Sequence, residues 1–191
     1  MQHNQSFAFL EGAASEVAPR LLGCVLERRL SDQIVRVRIV ETEAYDQTDV
    51  ASHSYKGKTQ RTEVMFGRAG HLYVYFTYGM HYCCNIVVGE IGYGAAVLIR
   101  AVEPLDGKEI IEMNRGKVGA DATNGPAKLC QALAIGKEMN GHYLAEGEMK
   151  LIVRRPLDPS VITQTTRIGI SQGKEVPWRF YVTGNPFVFK I

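Results

Sequence analysis

The run IVRVRIVETEAY at positions 34 to 45 constrains the fold more than any other segment. It is rich in β-branched residues, and Val35, Val37, Ile39, Glu41, Glu43 and Tyr45 fall on one parity. Successive side chains of a strand point to opposite faces, so an unbroken strand carries Glu43 and Tyr45 on the same face as its apolar residues, which is the expected core side. A second strand fits GCVLERRL at 23 to 30, joined to the first by a turn at SDQ. The stretch 71 to 88 predicts two β-branched and aromatic strands around a turn at TYGMH, where Gly79 supplies the tight geometry. Further strands fit AAVLIRAVEP at 95 to 104, LIVRR at 151 to 155 and RFYVTG at 179 to 184.

Helices are expected at about 14 to 22, at about 105 to 115, and over NGPAKLCQALAI, where Pro126 suits a first turn and Leu129, Ala132 and Leu133 follow helical spacing. The stretch from 116 to Thr123 is expected to be a mobile loop. Runs of strands with interspersed helices, without a βαβ rhythm, point to an α+β class: one domain over 1 to 191 with a curved, mostly antiparallel sheet and surrounding helices. Residues 1 to 13 are expected to form a flexible tail.

The 191 residues are 46% hydrophobic, enough for one substantial core. No run approaches the roughly 18 apolar residues of a membrane span, and the N-terminal segment lacks signal-peptide features, so the expected protein is soluble and intracellular. Cys24, Cys83, Cys84 and Cys130 show no CxxC spacing and suit buried free thiols; the histidines show no metal-binding spacing, and no metal or organic cofactor is expected. There is no GxGxxG, P-loop or GxSxG motif, which removes support for dinucleotide, nucleoside triphosphate and serine-esterase chemistry. A net charge of +2 does not by itself identify a nucleic-acid binder. Lys56, Lys58, Arg61 and Arg68 stand against the single acid Glu63, a basic loop that could follow phosphates or simply be solvated.

Glu43 is the candidate general base, because a carboxylate on a shielded strand face can take a proton from water. A strand glutamate can equally serve as a hydrogen-bond or ion-pair partner. Arg100, in an otherwise apolar run, is its expected counter-charge; a catalytic and a structural pairing both require the two to be close. Tyr45, His53, Tyr73, Tyr75, Tyr78 and Tyr82 suit either core packing or a stacking pocket for a planar ring. Asn85 reads as a strand amide satisfying backbone groups and Met80 as a turn hydrophobe. The start of the helix at Pro126, beside Lys128, could hold a phosphate or be a capped surface helix.

Six motifs then occur in one order: VETEAY at 40 to 45, MFGRAGHLYVYFTYGMHYCCN at 65 to 85, LIRAVEP at 98 to 104, GPAKLCQAL at 125 to 133, RIGI at 167 to 170 and RFYVTGNP at 179 to 186. This pattern resembles the alkyladenine (3-methyladenine) DNA glycosylase family and covers nearly all the chain after residue 15. The resemblance implies a monofunctional glycosylase that flips alkylated or deaminated purines out of double-stranded DNA and leaves an abasic site. Under it, Glu43 is the water-activating base and Arg100 helps hold the water. Tyr45 stacks on one face of the base, His53 and Tyr75 line the other, and Asn85 crowds the guanine amino group. Ile168 contributes its backbone carbonyl, Tyr78 fills the vacated stack, and Met80 lies beside it in the minor groove. Arg61 and Lys128 are the implied phosphate contacts, although TQRTEV at 59 to 64 departs from the Pro-Arg-Asn of many relatives. The expected protein is a cytoplasmic or nucleoid-associated monomer without a cofactor. A non-catalytic damaged-DNA binder and, more distantly, a metal-dependent hydrolase are the other classes.

Overall fold

In the computed structural model, which describes residues 7 to 189, eight strands form one curled sheet in which every neighbouring pair is antiparallel. They are β1 (Val25–Leu30), β2 (Gln33–Tyr45), β3 (Leu72–Thr77), β4 (His81–Val87), β5 (Ala96–Asp106), β6 (Met149–Ile152), β7 (Ile162–Thr165) and β8 (Arg179–Val182). The order is β3-β4-β5-β2-β1-β6, with β8 pairing to both β2 and β7. β2 is the hub: β5 runs along it, β1 pairs with its first half, and β8 takes Glu41 to Glu43. The α+β class read from the order of strand and helix patterns is the class observed.

Three helices, α1 (Ala14–Leu21), α2 (Lys108–Arg115) and α3 (Pro126–Ala132), contribute to the main core. Val17, Leu21, Ile111 and Leu129 meet Val35, Val37, Ile39, Ile86, Val97 and Ile99 of the sheet there. α2 starts later than its sequence pattern suggests because β5 continues to Asp106 and Gly107, at φ 72°, makes the turn between them.

The parity expected for β2 does not hold along its whole length. Pairing with β5 runs Ile39↔Val102, Glu41↔Ala101, Thr42↔Ile99, so Val40 on one strand and Arg100 on the other are extra residues. Each bulge moves the following side chains to the other face. Val35, Val37 and Ile39 face the main core, but beyond the bulge it is Ala44 that does so. Glu41, Glu43 and Tyr45 turn away from the helices.

Other expectations also change. Of the anticipated tail, residues 1 to 6 lie outside the described residues, whereas Phe7–Glu11 forms a 3-10 helix whose Leu10 is fully buried in the main core. The loop before Thr123 ends docked: Ala122 and Thr123 are buried, and the Thr123 hydroxyl donates to the Val102 carbonyl at 2.6 Å. β7 had no clear periodic signal. All four cysteines are free and buried. Among the described residues, no helix is long and apolar enough to cross a membrane.

If Leu10 docks as described, Leu10→Ala leaves a core cavity and lowers the unfolding free energy by roughly 2–5 kcal/mol. Urea denaturation measures this; a change within experimental scatter would show that the segment before α1 does not contribute to the core.

Candidate active site

The sheet face turned away from the helices borders a cavity of about 450 Å³. Its walls follow directly from strand alternation. On β3 and β4, Val74, Cys84 and Ile86 enter the main core, while Tyr73, Tyr75, Cys83 and Asn85 line the cavity. Leu98 and Arg100 of β5 and Tyr45 of β2 continue the lining, and Ile168 to Gln172 close one side. Tyr45 and Tyr75 stand three strand spacings apart in the sheet order, roughly 14 Å along an uncurled sheet. Side chains leaning inward from both ends therefore leave a slot.

Beside this slot lies a buried charge cluster. Glu41 and Glu43 are both fully inaccessible to solvent, and Arg100 and Arg179 are nearly so. Glu41 Oε1 accepts from Arg179 Nε at 2.6 Å and from Arg100 Nε at 3.1 Å, and its Oε2 accepts from the Phe189 N–H at 2.9 Å. Glu43 Oε1 accepts from the Ile168 N–H at 2.8 Å and lies 3.3 Å from Arg100 Nη1, while its Oε2 accepts from the Tyr45 hydroxyl at 2.9 Å. Two carboxylates thus balance two guanidiniums, the condition under which buried charges are tolerated. Burial works to lower the Arg100 pKa, but the charges of Glu43 and Glu41 outweigh it and raise the value. Burial, reinforced by the Glu43 charge, raises the Tyr45 phenol well above its ordinary value, so Tyr45 remains a hydrogen-bond donor to that carboxylate.

Glu43 is not part of the cavity wall, but Tyr45, Arg100 and Ile168, the three groups that hold it, all are. A carboxylate offers about four lone-pair sites. Oε1 accepts from the Ile168 N–H and lies in ion-pair contact with Arg100, whereas Oε2 accepts from Tyr45 alone among the described residues. Oε2 is therefore the oxygen able to accept one further proton or donor.

The opposite wall is aromatic. The His53 and Tyr75 rings meet edge to face at 4.5 Å, His53 Nδ1 lies 3.0 Å from the Tyr73 hydroxyl, and Tyr73 and Tyr75 are tilted at 5.6 Å. Desolvation by burial, with the positive charge of Arg61, lowers the His53 pKa to about 4, although the residue as a whole is partly open to solvent. Burial raises the Tyr75 phenol and pushes the Cys83 thiol up to about 11. His53, Tyr75 and Cys83 are therefore uncharged at neutral pH, and Arg61 supplies the positive charge at this wall. Asn85 donates through Nδ2 to the Tyr73 carbonyl at 3.0 Å while lining the cavity, so the backbone-satisfying role and the lining role coexist.

The remaining candidates are spread around this centre. Arg61 is exposed on the wall, 5.7 Å from the centroid of the Tyr75 ring. Tyr78 and Met80 project from the β3–β4 turn, 83% and 71% exposed. Ile168 meets Glu43 through its N–H, a contact different from the carbonyl contribution implied by the resemblance. Lys128 lies outside the cavity wall, its ammonium 2.7 Å from Asn124 Oδ1 and 3.6 Å from Asp121 Oδ1. Sequence reasoning missed Glu41 and Arg179 as partners of the cluster, and Arg167 with Asp49 beside Tyr45. The ETE spacing and the RFYV motif carried a signal for the first pair.

A family profile described as Methylpurine-DNA glycosylase (MPG) matches residues 8–186. Among similar curated proteins, one from Carboxydothermus hydrogenoformans is 52% identical over 176 residues, covering 91% of this chain and 92% of that protein. One from Francisella tularensis is 44% identical over 191 residues, with 98% and 99% covered. One from Methanoculleus marisnigri is 46% identical over 187 residues, with 95% and 96% covered. All three carry the name "Putative 3-methyladenine DNA glycosylase".

The His53 environment sets a pH dependence with a definite sign. With its folded pKa at about 4, below the ordinary 6.5, His53 binds fewer protons folded than unfolded between those values. Its contribution to stability is complete above pH 6.5 and is lost as the pH falls from there toward 4. NMR titration should show the His53 ring proton shifts constant from pH 7.5 to about 5.5, with a midpoint near 4. A midpoint at 6.5 would mean that the ring is hydrated as in an unfolded chain.

Proposed function

The chain belongs to the methylpurine-DNA glycosylase family, which acts on DNA and hydrolyses N-glycosidic bonds, and from this premise we propose that it excises alkylated and deaminated purines from duplex DNA by base flipping. The observation that carries the reading is the setting of Glu43. This buried carboxylate is anchored by three cavity-lining residues and keeps one acceptor position free on Oε2.

The extruded purine enters the slot between Tyr45 and the His53/Tyr75 wall. Aromatic stacking contributes roughly 1–3 kcal/mol per base and does not depend on the identity of the base. A water beside Oε2 gives its proton to Glu43 as its oxygen bonds to C1′. The C1′–N bond breaks, its electron pair leaves with the purine, and an abasic site remains. Arg100, raised in pKa and shared between Glu41 and Glu43, keeps the cluster charged and helps orient the water. No lysine is assigned as a nucleophile, so the strand stays intact.

A purine alkylated on its ring carries a positive charge that the departing electron pair neutralises, so 3-methyladenine and 7-methylguanine leave as neutral bases without prior protonation. Hypoxanthine and 1,N6-ethenoadenine are neutral, so their departure needs a proton on the leaving purine, taken from water because no side chain is assigned as its acid. Tyr78 takes the vacated place in the stack, with Met80 beside it in the minor groove. Arg61, exposed at the slot, and Lys128, beside α3, are the proposed phosphate contacts.

The direct test incubates the protein with DNA containing each of these four lesions and identifies released bases by chromatography. Release of the free purine with an uncleaved strand is expected; no release from folded protein refutes the proposal. Glu43→Gln preserves shape but cannot accept the water proton, and is expected to slow single-turnover excision by roughly 10²–10⁴ while lesion-DNA binding persists. A Gln variant as fast as wild type would assign the base to another residue.

Asn85 generates a selectivity test. Asn85→Ser removes the amide proposed to crowd the guanine 2-amino group, so release of undamaged guanine should rise relative to hypoxanthine. Because Asn85 also bonds to the Tyr73 carbonyl, some loss of stability accompanies the change. Comparing the two releases at matched folded concentration separates the effects: a constant ratio rules out the gate.

A further inference from the structure

Arg167 is buried, and the mechanism proposed above does not use it. It reaches three separate stretches of chain. Nη1 donates to the Ala44 carbonyl at 3.0 Å and pairs with Asp49 Oδ2; Nη2 donates to Asp49 Oδ1 at 3.1 Å and to the Gly173 carbonyl at 3.2 Å. The guanidinium carbon lies 4.8 Å from the centroid of the Tyr45 ring and 5.4 Å from that of Trp178. Nε has no hydrogen-bond partner among the described residues. The planar cation is therefore held by a forked carboxylate, two carbonyls and two aromatic rings.

These contacts matter because of what adjoins them. Ile168, the next residue, donates its N–H to Glu43 Oε1, and Tyr45, whose ring meets the guanidinium, donates its hydroxyl to Glu43 Oε2. None of residues 168 to 175 is buried, so the cavity-lining loop has no apolar anchor of its own. Arg167 fastens that loop to the end of β2 and to the loop that leads to His53.

We propose that Arg167, with Asp49, is a positioning residue for the excision reaction: it fixes the Tyr45 ring and the Ile168 N–H together, and through them both oxygens of Glu43. This inference rests on the glycosylase reading of the site. A lysine could keep the charge but not the two-pronged pairing or the stacked plane. Catalytic geometry is sensitive to displacements of about 1 Å, which can cost roughly 100-fold in rate.

The test compares wild type, Arg167→Lys, Asp49→Asn and the double variant on a hypoxanthine-containing duplex. Three quantities are measured: single-turnover excision at saturating protein, lesion-duplex affinity by fluorescence anisotropy, and the thermal unfolding midpoint. Excision is run well below each midpoint and scaled to folded protein. The single-turnover rate of each single variant is expected to fall by roughly 100-fold, with affinity changed by less than about threefold and the double variant no slower than the slower single. A merely structural ion pair would lower the midpoint but leave the rate per folded molecule near wild type, and that result overturns the proposal. Fully additive losses would also overturn it, since the two residues would then act separately. If Arg167→Lys does not fold, Asp49→Asn decides on the same two outcomes. Wild type that releases no purine from this duplex or from duplexes carrying the other three lesions refutes the glycosylase reading, and this inference with it; active wild type beside an unaffected variant refutes the inference alone.

Discussion

Two glutamates and two arginines occupy one water-excluded region where β2 meets β5 and β8, and the geometry of the site depends on their balance. Each ion alone would cost several kcal/mol to bury. The cluster is nevertheless not symmetric. Glu41 takes Arg179, one nitrogen of Arg100 and a backbone N–H, and of these only Arg100 lines the cavity. Glu43 shares only the other Arg100 nitrogen and draws its remaining partners from the cavity wall. Both carboxylates have three partners; what separates them is that all three of Glu43's line the cavity. Two like residues, two apart on one strand, are thereby tied to different surroundings.

The bulges at Val40 and Arg100 make that division possible. Without them, the parity of β2 would direct both carboxylates into the apolar layer under the helices. One extra residue on each strand, at the same level, turns both faces over together and lets pairing resume at Thr42↔Ile99. The same sheet can then be dry and aliphatic against α1, α2 and α3 and charged against the cavity. The β3–β4 hairpin needs no such correction. Its pairs run in unbroken register from Leu72↔Ile86 to Thr77↔His81, and simple alternation sends Tyr73 and Tyr75 to the cavity and Leu72, Val74 and Ile86 to the core, against which Tyr82 also packs.

This contrast explains what could be read beforehand. Periodicity of two was sufficient for β1, β2, the β3–β4 hairpin and β5, and the ordered motifs pointed to residues that the fold does bring together: Glu43, Tyr45, Arg100 and Ile168. The bulges left no mark, because Val40 and Arg100 are neither glycine nor proline and suit a regular strand equally well. Glu41 shares its parity with Glu43, so the ETE spacing placed both on one face but did not show that Arg179 would join them. Arg167 and Asp49 meet across 118 residues of sequence, a pairing that spacing cannot reveal. The docking of Leu10 escaped notice because a short apolar cluster in a polar segment gives no periodic signal. β7 was missed because its ITQT sequence alternates over too few residues and finds its partner only in β8.

The hairpin tip extends the reasoning from the pocket to the duplex. Tyr78 adopts φ 51° and Gly79 φ 69°, and the turn is closed by the Met80 N–H on the Thr77 carbonyl at 3.3 Å. Left-handed backbone suits glycine but strains a bulky aromatic residue, at a cost of order 1–3 kcal/mol. The strain comes with an exposed ring and an exposed thioether, an arrangement that gains nothing in the free protein. In the proposed mechanism it does gain: a ring held away from the sheet cannot collapse onto Tyr75, and it is already extended when a base leaves the stack. Inserting Tyr78 between base pairs then buries apolar surface that the fold has kept in water, which offsets part of the unstacking cost. In the proposed mechanism, tip strain and the buried charge cluster act at opposite ends of the same event, one holding the duplex open and the other activating the water that completes it.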